Sequence, residues 1–278
     1  MNIIKKEKIN YLRMYCNIHM KELLKTSKYI IFSAALILYA VPSFSQEPRL
    51  ADHNTVGWFA YTGTFKIKSK LAIHTEYQWR RADGIKNWQQ GLLRTGINYA
   101  VRKDISLNAG YAFAQTYTYG DYPVAFAFPE HRIYEQVVIK NPVGSIDLSH
   151  RFTLEQRFVG RVTMPNGIKN TEYFFLNRMR YRVRGEIPLH KKEAAKKPWS
   201  IIAQDEVFIG WGKNMGTNIF DQNRLAVLLG YRLNKNIKIE AGYLNQILQQ
   251  GRRINGSPVF QYNNGFMLSA HFSFSIIK

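Results

Sequence analysis

From Thr55 to the C-terminus, hydrophobic and polar residues alternate with a period of two, not the 3.6 of a helix. The stretch "SIDLSHRFTLEQRFV" (145–159) puts Ile146, Leu148, Phe152, Leu154 and Phe158 on one face. Ser145, Asp147, Ser149, Arg151, Thr153, Glu155 and Arg157 fall on the other, and only His150 and Gln156 are polar in the apolar phase. "KLAIHTEYQWR" opposes Leu71, Ile73, Tyr77 and Trp79 to His74, Glu76, Gln78 and Arg80. "LLRTGINYAVR" opposes Leu93, Ile97, Tyr99 and Val101 to Arg94, Asn98 and Arg102, and the last stretch repeats the pattern from Phe266 to Ile276. About eleven such segments occur, near 55–67, 70–81, 88–101, 105–117, 130–140, 145–159, 171–187, 199–211, 222–233, 236–248 and 265–277.

Many of these segments are 12–17 residues long. Strands of soluble proteins run about 5–6 residues, and a strand crossing a bilayer needs about 9–11. Tight turns at 68–69, 102–104, 141–144 and 234–236 alternate with longer connections at 82–87, 118–129, 160–170, 212–221 and 249–264. Only the basic connection "LHKKEAAKKP" (189–198) breaks that rhythm, and it reads as a lengthened turn. Short turns on one side and long loops on the other belong to transmembrane barrels. The expected fold is therefore all-β: one up-and-down antiparallel transmembrane barrel of 10–12 long strands. Bacterial single-chain barrels have even strand numbers, which favours ten or twelve over eleven. "YPVAFAF" (122–128) and "PVFQY" (258–262) are candidates for a missed strand. Trp58, Trp79, Trp88, Tyr99, Tyr117, Trp199, Trp211, Tyr231 and Tyr243 are placed to form interfacial girdles. A soluble ligand-holding barrel is the structural alternative, and it requires polar residues outside and apolar ones inside.

The N-terminus gives the compartment. "KELLKTSKYIIFSAALILYAVPSFSQ" has a basic start, an apolar stretch from Ile30 to Val41, and small residues Ser43 and Ser45 before Gln46. This is the pattern of a secretory signal peptide cleaved after Ser45, with residues 46–278 as the barrel domain. Met20 is the expected true start of translation. No later apolar run of about 18–20 residues offers a membrane helix. The formal charge is +20 for the whole chain. Removing residues 1–45 takes away seven Lys/Arg and two Asp/Glu, leaving +15 over 233 residues, and it also removes the single cysteine, Cys16. A mature chain without cysteine has no disulfide framework and no thiol nucleophile. Export to the outer membrane removes nucleic acid as a partner, and outer-membrane lipids take its place.

Several stretches resemble domain-of-unknown-function family 2490: "NTVGWFAYTGTFKIKSKLAIHTEYQWRR", then "LLRTGINYAV", "GYAFAQTYTYG", "FPEHRIYEQ" and "HRFTLEQRF". The resemblance covers essentially the whole mature chain. It implies an exported bacterial outer-membrane β-barrel and transfers no activity and no catalytic motif.

If the apolar faces meet lipid, the opposite faces line the lumen. They collect Arg80, Arg94, Arg102, Arg151, Arg157, Arg178, Arg180, Arg182, Arg184, Arg224 and Arg232, against Glu76, Asp147, Glu155, Glu186 and Glu240. In "EYFFLNRMRYRVRGEI" (172–187) the four arginines from Arg178 to Arg184 recur at every second position, so a strand projects all of them one way. Two outcomes follow. The arginines and carboxylates interlock and fill the interior, or surplus arginine makes a positive lumen that favours small anionic solutes. A lipid-hydrolysing barrel would need a Ser–His pair. Ser149 and His150 face opposite sides, and His271 lies two positions from Ser269 and Ser273, about 7 Å along a strand. His74 beside Glu76 has the same separation. The sequence therefore assigns no catalytic residue, no metal site and no cofactor, and it leaves the oligomeric state open. Asp205 stands out because it shares the phase of Ile201 and Val207. That predicts a register change near it, or a place at the membrane interface.

Overall fold

The computed structural model describes residues 49–189, 198–215 and 219–276. Within them the chain forms eleven strands: β1 (Leu50–Lys68), β2 (Leu71–Ala82), β3 (Asn87–Ala100), β4 (Ile105–Thr116), β5 (Phe128–Lys140), β6 (Asp147–Thr163), β7 (Asn170–Pro188), β8 (Trp199–Trp211), β9 (Phe220–Arg232), β10 (Ile237–Ile254) and β11 (Ser257–Ser275). Each strand pairs antiparallel with its sequence neighbour, and β11 returns to β1 to close the barrel. Residues 1–45, read from the sequence as a signal peptide, and most of "LHKKEAAKKP" lie outside the described residues.

The strand number is odd, against the expectation of ten or twelve. An odd up-and-down sheet can close only if its first and last strands run the same way. β1 and β11 do so, in unbroken parallel register from Leu50↔Val259 to Lys66↔Ser275. Neither candidate missed strand adds a twelfth. Residues 122–127 lie in the β4–β5 connection, and 258–262 form the start of β11. The long loop expected over 249–264 is likewise a hairpin. β10 runs on to Ile254 and turns through Asn255 and Gly256, whose φ values of 48° and 81° are the pair a two-residue type I′ turn demands. The rim carrying the β2–β3, β4–β5, β6–β7, β8–β9 and β10–β11 connections is called the upper rim below.

Alternation sorts the side chains. Leu93, Ile97, Tyr99, Ile133, Phe152, Leu154, Phe175, Leu225, Val227, Leu229, Tyr243 and Leu268 point outward and are exposed. Trp79, Trp88, Trp199 and Trp211 do the same near strand ends. Trp58 does not: it shares the phase of Val56 and Ala60, points inward and is 4% exposed. It joins Val56, Ile202, Ala226, Leu228 and Leu244 in an apolar cluster inside the barrel, with Met267 packed against it.

The register of β8 runs evenly past Asp205, with its single shift between Phe208 and Ile209. No bulge turns Asp205 inward, so the predicted register change at that residue is absent. The carboxylate stays on the outer face midway along the strand and accepts a hydrogen bond from Asn223 Nδ2 of β9 at 2.9 Å. Glu135 is met similarly by Gln156 Nε2 at 3.3 Å. A neighbouring amide thus supplies each outward carboxylate with a donor where a bulge would have hidden it.

Candidate functional site: the barrel interior

The interior is layered from the upper rim downward. At the mouth, the 117–127 connection folds across the opening. Tyr119 Oη donates to Gln261 Oε1 at 2.9 Å and accepts from Gln89 Nε2 at 3.0 Å. The Asp121 amide donates to Asp52 Oδ1 at 3.1 Å, and Asp52 is fully buried. On the far side, Gln250 Nε2 and Arg252 Nη2 donate to the Tyr122 carbonyl at 2.8 and 3.1 Å. The loop approaches this closely because Gly120 adopts φ +81°. A Cβ there would lie 2.4 Å from Asp52 Oδ2.

Beneath the loop, the Trp58 indole donates to Gln89 Oε1 at 2.6 Å. Its ring is flanked by the guanidinium of Arg80, 4.0 Å from the centroid, and that of Arg224, 5.0 Å away. Arg224 also stacks over Phe208 at 4.6 Å. Aromatic faces thus hold these two cations where a carboxylate would be the usual partner.

Through the interior also runs one continuous ionic network, which shares strands β8 and β9 with the apolar cluster. Arg132 clamps Glu130 with two bonds of 2.7 and 2.9 Å, and Arg157 joins the same carboxylate and reaches Asp221 at 3.4 Å. Arg178 bridges Asp221 (2.8 Å) to Glu155 (2.7 Å from Nε). Arg180 bridges Glu155 (2.7 Å) to Glu206 (2.9 Å), and Arg151 ends that branch on Glu206 at 2.8 Å. A second branch passes from Glu155 through Arg94 (3.8 Å) to Glu76 (2.9 Å), with His74 at 3.5 Å. A separate lower cluster holds Arg184, Lys238 and His271 around Glu186 and Glu240. There Arg184 meets Glu240 at 2.6 Å and His271 Nε2 lies 3.3 Å from it.

The four-arginine stripe of β7 is therefore divided. Arg178 and Arg180 belong to the upper network and Arg184 to the lower cluster. Arg182, between them, takes part in no ion pair among the described residues. Its cross-strand neighbour Glu206 already accepts from Arg151 and Arg180, and the Nε of Arg182 is buried without a protein partner. Between network and lower cluster lies a cavity of about 250 Å³, lined by Arg94, Arg151, Arg180 and Arg182 from β3, β6 and β7 and by Trp58, Ala226, Leu244 and Met267 from β1, β9, β10 and β11, with Arg224 of β9 beside Trp58.

Of the residues that the sequence offers as lumen candidates, Arg80, Arg94, Arg151, Arg157, Arg178, Arg180, Arg182, Arg184, Arg224, Glu76, Glu155, His74 and His271 have their side chains on the inner face of the barrel. Two arginines assigned to the same face do not. Arg102 sits in the β3–β4 turn, 64% exposed and paired with Asp104, and Arg232 ends β9 exposed at the lower rim. Sequence reasoning missed Glu130, Arg132, Glu206 and Asp221. The apolar phase of β5 carries His131 and Glu135, which hid the opposite phase holding Glu130 and Arg132. Glu206 adjoins the out-of-phase Asp205, although Gln204 in the same phase marks it as inward. Ser269 and His271 both line the cavity, but no hydrogen bond joins them, and Ser149 bonds the Arg184 carbonyl. Among the described residues no group of three or more His, Cys, Asp or Glu is placed to hold a metal.

Fold and interior together define a closed up-and-down β-barrel with an apolar outer face and a lumen filled by an arginine–carboxylate network. The family described as "Protein of unknown function (DUF2490)" matches residues 55–256, most of the barrel, and the chain belongs to it. No curated protein matches the chain. No solved structure matches it either.

Proposed function

We propose that the chain is an integral outer-membrane β-barrel, exported through its N-terminal signal segment, whose lumen is stoppered yet favours anions. The observation that carries this reading is the inversion of the usual soluble pattern. Aliphatic and aromatic side chains cover the outside, while Glu155, Glu130, Arg178, Arg180 and Glu206 are buried within. In water such an exterior would be an aggregation surface; against hydrocarbon it is the low-energy one. A soluble ligand-binding barrel would need the reverse arrangement. The outward carboxylates Glu135 and Asp205 are a cost of this reading. It is smaller than the roughly 2–4 kcal/mol of a midplane Arg or Lys, and a bonded amide lowers it further.

The network and the 117–127 loop fill the upper lumen, which favours a closed barrel over an open channel. The full-length chain should fractionate with outer membranes and run faster on gels unboiled than boiled. Reconstituted in planar bilayers it should show no steady open-channel current, and any brief openings should pass anions in preference to cations. Recovery in the soluble fraction with unchanged gel mobility would overturn the membrane reading. A large steady cation current would overturn the stoppered, anion-favouring one.

A further inference from the structure

We infer that the lumenal cavity is a binding site for a small organic anion, a carboxylate or phosphoryl head on a short apolar body, with Arg182 as its principal charge partner. This deepens the anion-favouring reading of the lumen and rests on it. Three observations converge. The first is charge: five arginines line the cavity against two glutamates, Glu76 and Glu206. Among the described residues Arg182 and Arg224 lie in no ion pair, and burying an uncompensated cation is costly unless something neutralises it.

The second is the distribution of unpartnered polar atoms. Among the described residues nine buried side-chain polar atoms lack a hydrogen-bond partner, and six belong to residues lining this one cavity. They include the Nε donors of Arg94, Arg151 and Arg182 and the hydroxyl of Ser269. His271 Nε2 is a further member of the group, 3.3 Å from Glu240. Buried polar groups are otherwise almost always satisfied, and at least four of these six atoms are donors, so unused donor capacity is concentrated in the residues around the cavity. Guanidinium forks match carboxylate and phosphoryl oxygens in a bidentate fashion.

The third is shape. Trp58, Ala226, Leu244 and Met267 give the cavity an apolar patch facing Arg94, Arg151, Arg180 and Arg182, with Arg224 at its edge. At about 250 Å³ the cavity falls below the roughly 300–1,000 Å³ of pockets for drug-sized ligands. An amphipathic anion no larger than a single substituted ring fits both the patch and the arginines.

The test uses the detergent-purified, heat-modifiable barrel in calorimetric titrations with phenyl phosphate, benzoate, inorganic phosphate and, as a cationic control, benzylamine. Saturable binding of phenyl phosphate or benzoate is expected, with inorganic phosphate weaker and benzylamine silent. Arg182→Gln should weaken binding by at least about tenfold. Its thermal midpoint without ligand should not fall, because no ion pair is lost. Arg102→Gln, at an exposed turn, should bind as the unaltered protein does. A barrel that remains heat-modifiable but binds neither organic anion overturns this inference and leaves the membrane reading standing. So does equal binding by inorganic phosphate and phenyl phosphate, or binding indifferent to Arg182→Gln. Failure of heat modifiability in the unaltered chain would instead count against the membrane reading.

Discussion

Replacing Glu155 with glutamine is expected to destabilise the barrel by about 3–5 kcal/mol, the range for breaking a buried ion pair from one side. Glu155 is fully buried and stands at the branch point of the network. It accepts from Arg178 and Arg180, each at 2.7 Å, with Arg94 at 3.8 Å. Glutamine keeps the shape and one acceptor but removes the only charge shared by three guanidiniums, which then repel one another in a poorly hydrated interior. The unboiled gel form should be lost at a lower temperature, and the denaturant midpoint, followed by tryptophan emission, should drop accordingly. Coupling makes the prediction specific. Once Arg178 has been changed to methionine, Glu155→Gln should cost measurably less than it does alone, because the two residues share one interaction. Asp104→Asn, which breaks the exposed pair with Arg102, should leave the stability nearly unchanged, because water and salt screen that pair. A Glu155→Gln barrel as stable as the unaltered one would mean that the network fills space without holding strands together.

The contrast between Glu155 and Arg182 also shows how far the sequence alone could go. Period-two alternation placed both on the inner face, and it placed Glu76 opposite the outward Tyr77 and Trp79 with equal clarity. Facing is a local property, set by the pleat within one strand. Partnership is not. Arg178 and Asp221 are 43 positions apart in sequence and meet at 2.8 Å only because β7, β8 and β9 pair in one particular register across the barrel. A shift of two residues in any of those ladders would keep every side chain on its face and exchange all the ion pairs. The division of the β7 stripe into paired and unpaired arginines was therefore invisible until the register was known.

Other misses have signals that went unweighted. Asn255–Gly256 is the strongest short hairpin dipeptide, and it stood inside a segment assigned to a long loop. Residue type alone places Trp58 with the outward aromatics, whereas its phase with Val56 and Ala60 sets it inside. There it gives Arg80 and Arg224 a π face. The odd strand count had no local signal, because closure is a property of the two chain ends together.

That closure supplies the second large effect: Gly265→Ala should prevent the barrel from forming, whereas Gly91→Ala should be tolerated. Gly265 lies in β11 opposite Val56 of β1, within the parallel seam that alone joins the first strand to the last. A Cβ at Gly265 would stand 1.7 Å from the Val56 carbonyl oxygen and 2.7 Å from its carbonyl carbon. Both are backbone atoms, so no rotamer change relieves the clash and the strands must separate. Ordinary overpacking of a core costs about 1–3 kcal/mol when side chains can shift. Here relief comes only from breaking ladder hydrogen bonds on both sides of the seam, and the expected loss exceeds that range. Opening the seam also leaves two long edges with unpaired amides and carbonyls, which in hydrocarbon have no alternative partner and in water invite aggregation. Gly91 sits inside β3 with no atom within 4 Å of its would-be Cβ. Alanine there tests the loss of glycine from a strand without the clash. The comparison is read on unboiled gels after refolding into detergent: the compact band should be absent for Gly265→Ala and present for Gly91→Ala. A compact band of normal mobility and midpoint from Gly265→Ala would show that β1 and β11 do not close in this register.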